Sequence, residues 1–221
     1  MNVRGRLCVK AVRCGVILAC ILLSGCDQQD AVSDDAVAVV PPPKTTKLLD
    51  TPIPLPAFEL TERGLDTVSL ETLKGKVWIA QFIFTSCSGQ CPGLTFSMFE
   101  LHKEFKDVPE LQFVSVTVDP ERDSPERLRR FADEFEADKE RWHFLTGDAE
   151  AVRTLVVDGF KLALSENTDP KTSLDEPITH SGKFVLVDQR GRIRGYYGGK
   201  DNDDLDALRN DVKKVMKEAG K

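Results

Sequence analysis

The chain has 221 residues, of which 41% are hydrophobic and 30% are charged, and its formal net charge is −6. Nucleic acid and anionic lipid are poor partners for an acidic protein, because both carry negative charge. The two ends differ in composition, and only about 160 residues have the character of a globular domain, which is enough for one domain with its own core.

The first 25 residues have the pattern of an export signal. Four cations precede an apolar run over residues 14–23, which is too short to span a bilayer stably. Residues 23–26 read Leu-Ser-Gly-Cys and resemble the lipobox of bacterial lipoproteins, so cleavage would leave Cys26 as a lipid-modified N-terminus. It would also change the net charge from −6 to −10. The alternative is an uncleaved or ordinarily cleaved signal in which Cys26 is incidental.

Residues 26–56 cannot build a core. They are polar or small and hold half of the twelve prolines of the chain. Such a segment behaves as a flexible, partly extended tether with a span on the order of 30 Å. The sequence therefore predicts a leader over 1–25, a lipid-anchored tether over 26–56 and a folded domain over 57–221.

Strands and helices alternate along that domain. The run over 77–84 is almost continuously apolar, as in a strand covered on both faces, and a helix with a buried face follows it. The predicted strands are 57–60, 67–70, 76–84, 111–118, 142–146, 160–164, 183–188 and 192–197. Helices are predicted after Pro92, Ser124 and Asp148 and over 201–217, and residues 165–178 form a long polar loop. This order predicts an α/β domain with a mixed central sheet flanked by helices.

Cys87 and Cys91 lie between the first core strand and its helix, which suggests a thioredoxin-like fold. They are the only cysteines left once the leader is removed and Cys26 is lipidated. A disulfide between them would close a very small loop and would stabilise the fold little. A redox couple and a pair of metal ligands remain as explanations for two thiols in an oxidising compartment.

His180 is predicted to approach this cysteine pair. Cys87 and Asp119 follow parallel strands, and ligands gather at the carboxyl ends of such strands. His180 precedes the strand 183–188 and reaches the same edge if that strand is antiparallel. Two thiolates and an imidazole are ligands for copper or zinc, and a soft site with few ligands suits Cu(I).

Three segments together resemble one known family. They are residues 84–92, 116–125 and 179–181, with 185–188 and Gly191 after them. Their sequence is similar to that of the SCO/SenC family of cytochrome c oxidase assembly proteins, and the likeness runs from about residue 58 to the C-terminal helix. Ser88 stands where many members have proline, and Thr179 where many have aspartate.

The resemblance implies a membrane-anchored, thioredoxin-like copper chaperone that helps to metallate the binuclear copper site of the oxidase. Copper would be bound through the residues matching Cys87, Cys91 and His180. The expected partner is the copper-bearing oxidase subunit or another copper protein, and the expected state is a monomer held by lipid on the outer side of a membrane. The alternative is a thiol-disulfide oxidoreductase in which Cys87 and Cys91 are catalytic and His180 is accessory. A peroxidase is a weaker alternative, because it needs neither the second cysteine at this spacing nor the histidine.

Six other residues have a structural explanation. Asp119 and Asp123 are candidates for shaping the site, but loop and capping positions fit them better. His102 and His143 fit surface or packing positions away from the ligand edge. Trp78 and Trp142 are expected in the core.

Overall fold

The computed structural model describes residues 48–87, 91–166 and 178–219. The predicted leader and most of the predicted tether lie outside these ranges, as does the centre of the predicted polar loop. No helix within the described ranges is long and apolar enough to cross a membrane.

Strands and helices alternate from residue 53 to residue 219. The strands are β1 (Ile53–Pro54), β2 (Glu59–Glu62), β3 (Thr67–Ser69), β4 (Val77–Ile83), β5 (Leu111–Thr117), β6 (Trp142–Thr146), β7 (Leu164–Glu166), β8 (Ile178–His180), β9 (Lys183–Val187) and β10 (Arg192–Gly198). The helices are α1 (Leu70–Leu73), α2 (Cys91–Glu104), α3 (Pro125–Glu134), α4 (Ala149–Thr154) and α5 (Asn202–Ala219). A π-helical turn, Leu155–Gly159, continues α4.

Eight strands form one mixed sheet in the order β1-β10-β9-β4-β5-β6-β2-β3. The central strands β4, β5 and β6 are parallel, and β9 runs antiparallel to β4 on its other side. The remaining two, β7 and β8, pair only with each other in a separate ribbon. The predicted α/β class with a mixed central sheet is thus confirmed, including the parallel pair on either side of α2.

The two faces of the sheet carry separate apolar cores. Along β4, Trp78, Ala80 and Phe82 face a cluster completed by α1, α4 and the π-helical turn. Val77, Ile79 and Ile83 face a second cluster completed by α2, α3 and α5. This alternation follows from the two-residue period of a strand, and it explains why the whole of β4 is buried.

Helix starts follow the predicted caps. Ser124 accepts a hydrogen bond from the backbone N–H of Arg127, and Pro125 occupies the first turn of α3. Asp148 accepts one from the N–H of Ala151 at the start of α4. These contacts satisfy N–H groups that have no partner within the helix.

Two predicted boundaries differ from the structure. The folded part begins before residue 57, because β1 pairs with β10 and the backbone N–H of Leu55 donates to Gly191 at 3.0 Å. Proline in β1 is tolerated because this is an edge strand. The predicted strand 160–164 is also absent: the structure places Phe160 in the core without strand pairing and begins β7 at Leu164.

Candidate metal centre

Cys87 lies in the turn that leaves the carboxyl end of β4. Its backbone N–H donates to the carbonyl of Phe84 at 3.2 Å, which closes the turn. Its half-buried side chain packs against the cluster that contains Trp78 and Phe82. The second cysteine, Cys91, is the first residue of α2, as predicted from the proline after it. Residues 88–90 and the side chain of Cys91 lie outside the described part of the chain.

A buried carboxylate connects this turn to the loop after β5. Asp123 is fully buried and accepts hydrogen bonds from the backbone N–H of Thr85 at 3.0 Å and from its hydroxyl at 2.5 Å. It also accepts one from the hydroxyl of Thr117 at 2.6 Å. Arg127 Nε lies 3.7 Å from Asp123 Oδ1 and offsets its charge.

Asp119 occupies the same loop in a different environment. Arg122 Nε lies 2.7 Å from Asp119 Oδ2, but without the alignment of a hydrogen bond. Burial raises the pKa of Asp119 above its usual value, and the charge of Arg122 opposes that rise. Both aspartates are therefore engaged by residues of their own loop or of the turn after β4.

His180 is brought to this edge of the sheet by strand direction. Because β9 pairs antiparallel with β4 through Ala80 and Val185, the same register places Lys183 level with Phe82, near the carboxyl end of β4. His180 ends β8, three residues before Lys183, so its backbone lies within about 11 Å of that residue. The predicted condition, an antiparallel strand after the histidine, is met.

The backbone thus carries Cys87, Cys91 and His180 toward one edge, but their coordination remains a prediction. The side chains of Cys91 and His180 lie outside the described residues. Among the side chains that are described, no three His, Cys, Asp or Glu residues form a metal site.

The other histidines and the tryptophans have structural positions, as predicted. His102 is buried with its ring 5.2 Å from that of Phe113 and 5.3 Å from that of Trp142. His143 Nε2 lies 3.1 Å from Gln112 Oε1 near the amino end of β5. Trp78 and Trp142 are core residues.

The contacts of Asp123 were not predicted. The sequence offers Asp123 either as a residue that shapes the site or, preferably, as a loop or capping residue, and the structure makes it the residue that connects the cysteine turn to the β5 loop. The cap of α3 is the next residue, Ser124. No local signal in the sequence indicates a contact with Thr85, which lies 38 positions earlier.

With this geometry in place, comparison with known proteins is decisive. The model of the SCO1/SenC family matches residues 49–217. The chain belongs to the SCO1/SenC family. This result confirms the family predicted from the three segments, and the matched region begins near the observed start of the fold.

Individual family members support the assignment. The chain is 35% identical to the SCO1 protein homolog of Bacillus subtilis, over 71% of this chain and 79% of that protein. It is 30% identical to a Stutzerimonas stutzeri protein named "Putative copper-binding protein", over 81% of this chain and 82% of that protein.

Solved structures of the family share the fold. The crystal structure of a SCO1/SenC family lipoprotein from Bacillus anthracis str. Ames superimposes with a TM-score of 0.68 at 32% identity, covering 76% of this chain and 99% of that one. The structure of BsSco, a member of the Sco family of cytochrome c oxidase assembly proteins with a disulfide switch, gives a TM-score of 0.65 at 31% identity. It covers 76% of this chain and 97% of that chain. The predicted thioredoxin-like fold is thereby confirmed.

Proposed function

We propose that this protein is a copper metallochaperone for the binuclear copper site of cytochrome c oxidase, and that it binds copper through Cys87, Cys91 and His180. The observation that carries the proposal is the strand arrangement, in which the cysteine turn follows β4 and the strand after His180 runs antiparallel to β4. The family relationship supports it, since one relative is named for copper binding and another is described as an oxidase assembly protein.

The donor set suits copper as cargo. Thiolate and imidazole ligands favour copper or zinc, whereas carboxylates favour harder cations. The nearby carboxylates of Asp119 and Asp123 are already engaged, by Arg122 and by two threonines respectively. Of the described carboxylates near the cysteine turn, these two already have partners, which favours sulfur and nitrogen as the donors.

The protein residues around Cys87 favour binding that can be reversed. Cys87 is half-buried, and its side chain packs against the apolar cluster. A thiolate in such a position is partly shielded from water and can still be reached by a partner. Copper would then pass to the acceptor by ligand exchange, with the acceptor's ligands replacing those of this chain one at a time.

Location and partners follow from the N-terminal sequence. We infer that Cys26 carries the lipid, which holds the domain on the outer side of a membrane, facing the periplasm or the cell exterior. Support comes from the lipobox-like residues 23–26 and from the Bacillus anthracis relative, which is a lipoprotein. The acidic net charge favours a protein acceptor over nucleic acid.

A single substitution tests the ligand set. His180→Ala should weaken copper binding by the reduced protein at least 10- to 100-fold, which is the loss typical even of outer-shell changes. His143→Ala is the matched control, because it also removes an imidazole but lies at the start of β6. The measurement is competition with a copper chelator, together with the thiolate-to-Cu(II) charge-transfer band. Equal affinity of wild type and His180→Ala would exclude the three-ligand site.

A thiol-disulfide oxidoreductase is the second candidate, favoured by the disulfide switch of BsSco. Cys87 and Cys91 would be oxidised to a disulfide as a client disulfide accepts two electrons and two protons and becomes a dithiol. The reduced protein should then exchange with a model disulfide, and Cys91→Ser should stop at the mixed disulfide. If the reduced wild type does not exchange, the oxidoreductase is excluded and the chaperone remains.

A further inference from the structure

Asp123 makes the contacts expected of a residue that fixes the cysteine turn. Both of its carboxylate oxygens accept hydrogen bonds from Thr85, one from the backbone N–H and one from the hydroxyl. Thr85 lies two residues before Cys87. The turn that contains both residues is closed by the hydrogen bond from the backbone N–H of Cys87 to the carbonyl of Phe84. Any displacement of the carboxylate is thus transmitted to Cys87 through a short, hydrogen-bonded segment.

The cysteine turn begins where the pairing of β4 with β5 ends. That pairing is extended by one bond beyond the strands, from the N–H of Val118 to the carbonyl of Ile83, at 2.8 Å. Past Ile83, Asp123 joins the two loops through both of its bonds with Thr85. Thr117 at the end of β5 holds the same carboxylate from the other side. Asp123 therefore joins a rigid strand end to a turn that the strand does not include.

We propose that Asp123 is a positioning residue that holds Cys87 where it can engage Cys91, and thereby sets the stability of their disulfide and of a metal shared by them. The inference rests on the proposed function of the cysteine pair and goes further, because it assigns a role to a residue that touches neither thiol in the described contacts. Two thiols held in place have a higher effective concentration toward each other than two thiols on a loose turn. Loosening the turn lowers that concentration and makes the disulfide easier to reduce.

The test compares the equilibrium of the cysteine pair with glutathione in the folded mature protein, without the leader cysteines and with Cys26 lipidated, and in its variants. Asp123→Asn should lower the equilibrium constant for disulfide formation about tenfold, a rise in reduction potential of about 30 mV. This change also removes a negative charge near the thiols, so a second variant that leaves the charge unchanged is needed. Thr85→Val removes the hydroxyl donor without changing charge and should lower the constant at least threefold. Thr85→Ser keeps the hydroxyl, so its equilibrium constant for disulfide formation should equal that of the wild type.

Asp148→Ala is the control for general destabilisation. Asp148 caps α4 and does not contact the cysteine turn in the described structure, so its loss lowers stability and should leave the glutathione equilibrium unchanged. The proposal is overturned if folded Thr85→Val stays within threefold of the wild type, or if Asp148→Ala shifts the constant as far as Thr85→Val does. Because Thr85→Val retains the buried carboxylate, the test stands even if Asp123→Asn does not fold.

The outcomes separate this inference from the proposed function. Suppose that the wild-type protein binds no copper, but the variants show the predicted changes in the glutathione equilibrium constant. Asp123 would then remain a positioning residue, and the metallochaperone function would be rejected. A protein that binds copper through His180 and shows no shift in Thr85→Val would keep the chaperone and reject the positioning role.

Discussion

The backbone N–H of Asp123 donates to the carbonyl of Asp119 at 2.9 Å, so two buried aspartates share one turn after β5. Their carboxylates have opposite environments. Asp123 accepts three hydrogen bonds from two threonines, whereas Asp119 Oδ2 lies beside Arg122 Nε without the alignment of a hydrogen bond. Substitutions at the two positions should therefore have different consequences for stability.

Asp123→Asn should destabilise the protein by about 3 kcal/mol, because an amide cannot accept from all three donors and presents its own N–H₂ group to one of them. The measurement is the free energy of unfolding in urea at pH 7. Thr85→Val removes one of the three donors, the hydroxyl, and should cost less than half as much. A variant at position 123 that is as stable as the wild type would show that the three bonds do not stabilise the fold.

Asp119→Asn should leave the free energy of unfolding at pH 7 unchanged or slightly higher. The folded pKa of Asp119 is raised, mainly by burial, so the folded state binds the proton more tightly than the unfolded chain does. The cost of its charge is fully present above the folded pKa and disappears as pH falls below the unfolded value. The neutral amide removes that cost. A loss of several kcal/mol in urea unfolding would contradict this prediction.

Acidification below pH 6.5 should destabilise the protein through His102. Burial lowers its pKa, with a further contribution from the charge of Arg141, so the ring is neutral in the folded state. The unfolded chain binds the proton more readily. The contribution of the neutral His102 ring to the free energy of unfolding is therefore fully present above about pH 6.5. It decreases as the pH falls from there to the folded pKa.

His102→Leu tests this origin of the pH dependence. It should flatten the profile of unfolding free energy between pH 7.5 and 5.5, because leucine fits among Phe113 and Trp142 and does not titrate. Burial also lowers the pKa of His143, so part of the slope should remain. An identical slope in wild type and variant would assign the effect to other groups.

Gly199→Ala should destabilise the protein by about 1–3 kcal/mol through overpacking. A Cβ at this position would overlap Leu94 Cδ2 and lie 3.0 Å from the ring of Phe184. Gly93→Ala is the matched control, since among the described atoms its Cβ would meet the flexible Lys200 side chain, at 3.4 Å, and alanine favours the helix. Thermal unfolding should place the two variants on opposite sides of the wild type. Equal melting temperatures would contradict the packing at Gly199.

A chain that begins at Leu48 should be more stable than one that begins at Ala57, by about 3 kcal/mol. The shorter chain loses β1 and the buried side chain of Leu55, which is only 6% exposed. It also loses the bond from the N–H of Leu49 to the carbonyl of Arg194, at 2.7 Å. Urea unfolding of the two chains measures the difference. No difference would mean that the tether does extend to Pro56, as the sequence predicts.

The elements that the sequence predicts well are those whose own apolar pattern shows which residues are buried. The apolar run of β4 and the spacing of Leu94, Met98 and Leu101 in α2 identified both elements to within a residue or two. The same is true of α3, where Ser124 and Pro125 mark the start.

The elements that were missed depend on contacts with distant residues. Ile53 and Pro54 have the composition of a tether and become a strand only because β10 offers a free edge. Phe160 has the apolar character of a strand residue, yet it is held by ring contacts with Trp78 and Phe82 and by the hydroxyl of Tyr196, which donates to its carbonyl. Local propensity cannot predict the pairing of β1 with β10 or the tertiary contacts of Phe160.

The candidate site was predictable in part for the same reason. The cysteine spacing and strand order placed Cys87 and the backbone of His180 at one edge. The bonds between Asp123 and Thr85 join two loops across 38 positions, and only the folded chain shows them.

The position of β9 in the sheet also constrains when the protein can fold. This strand covers one side of β4, and it begins 100 residues after β4 ends. During synthesis, the central strand must wait with an open edge until those residues have been made, and open edges promote aggregation. A ribosome-stalled or truncated chain that ends before Lys183 should therefore require chaperone protection, whereas one that includes Val187 has the pairing needed to close the sheet.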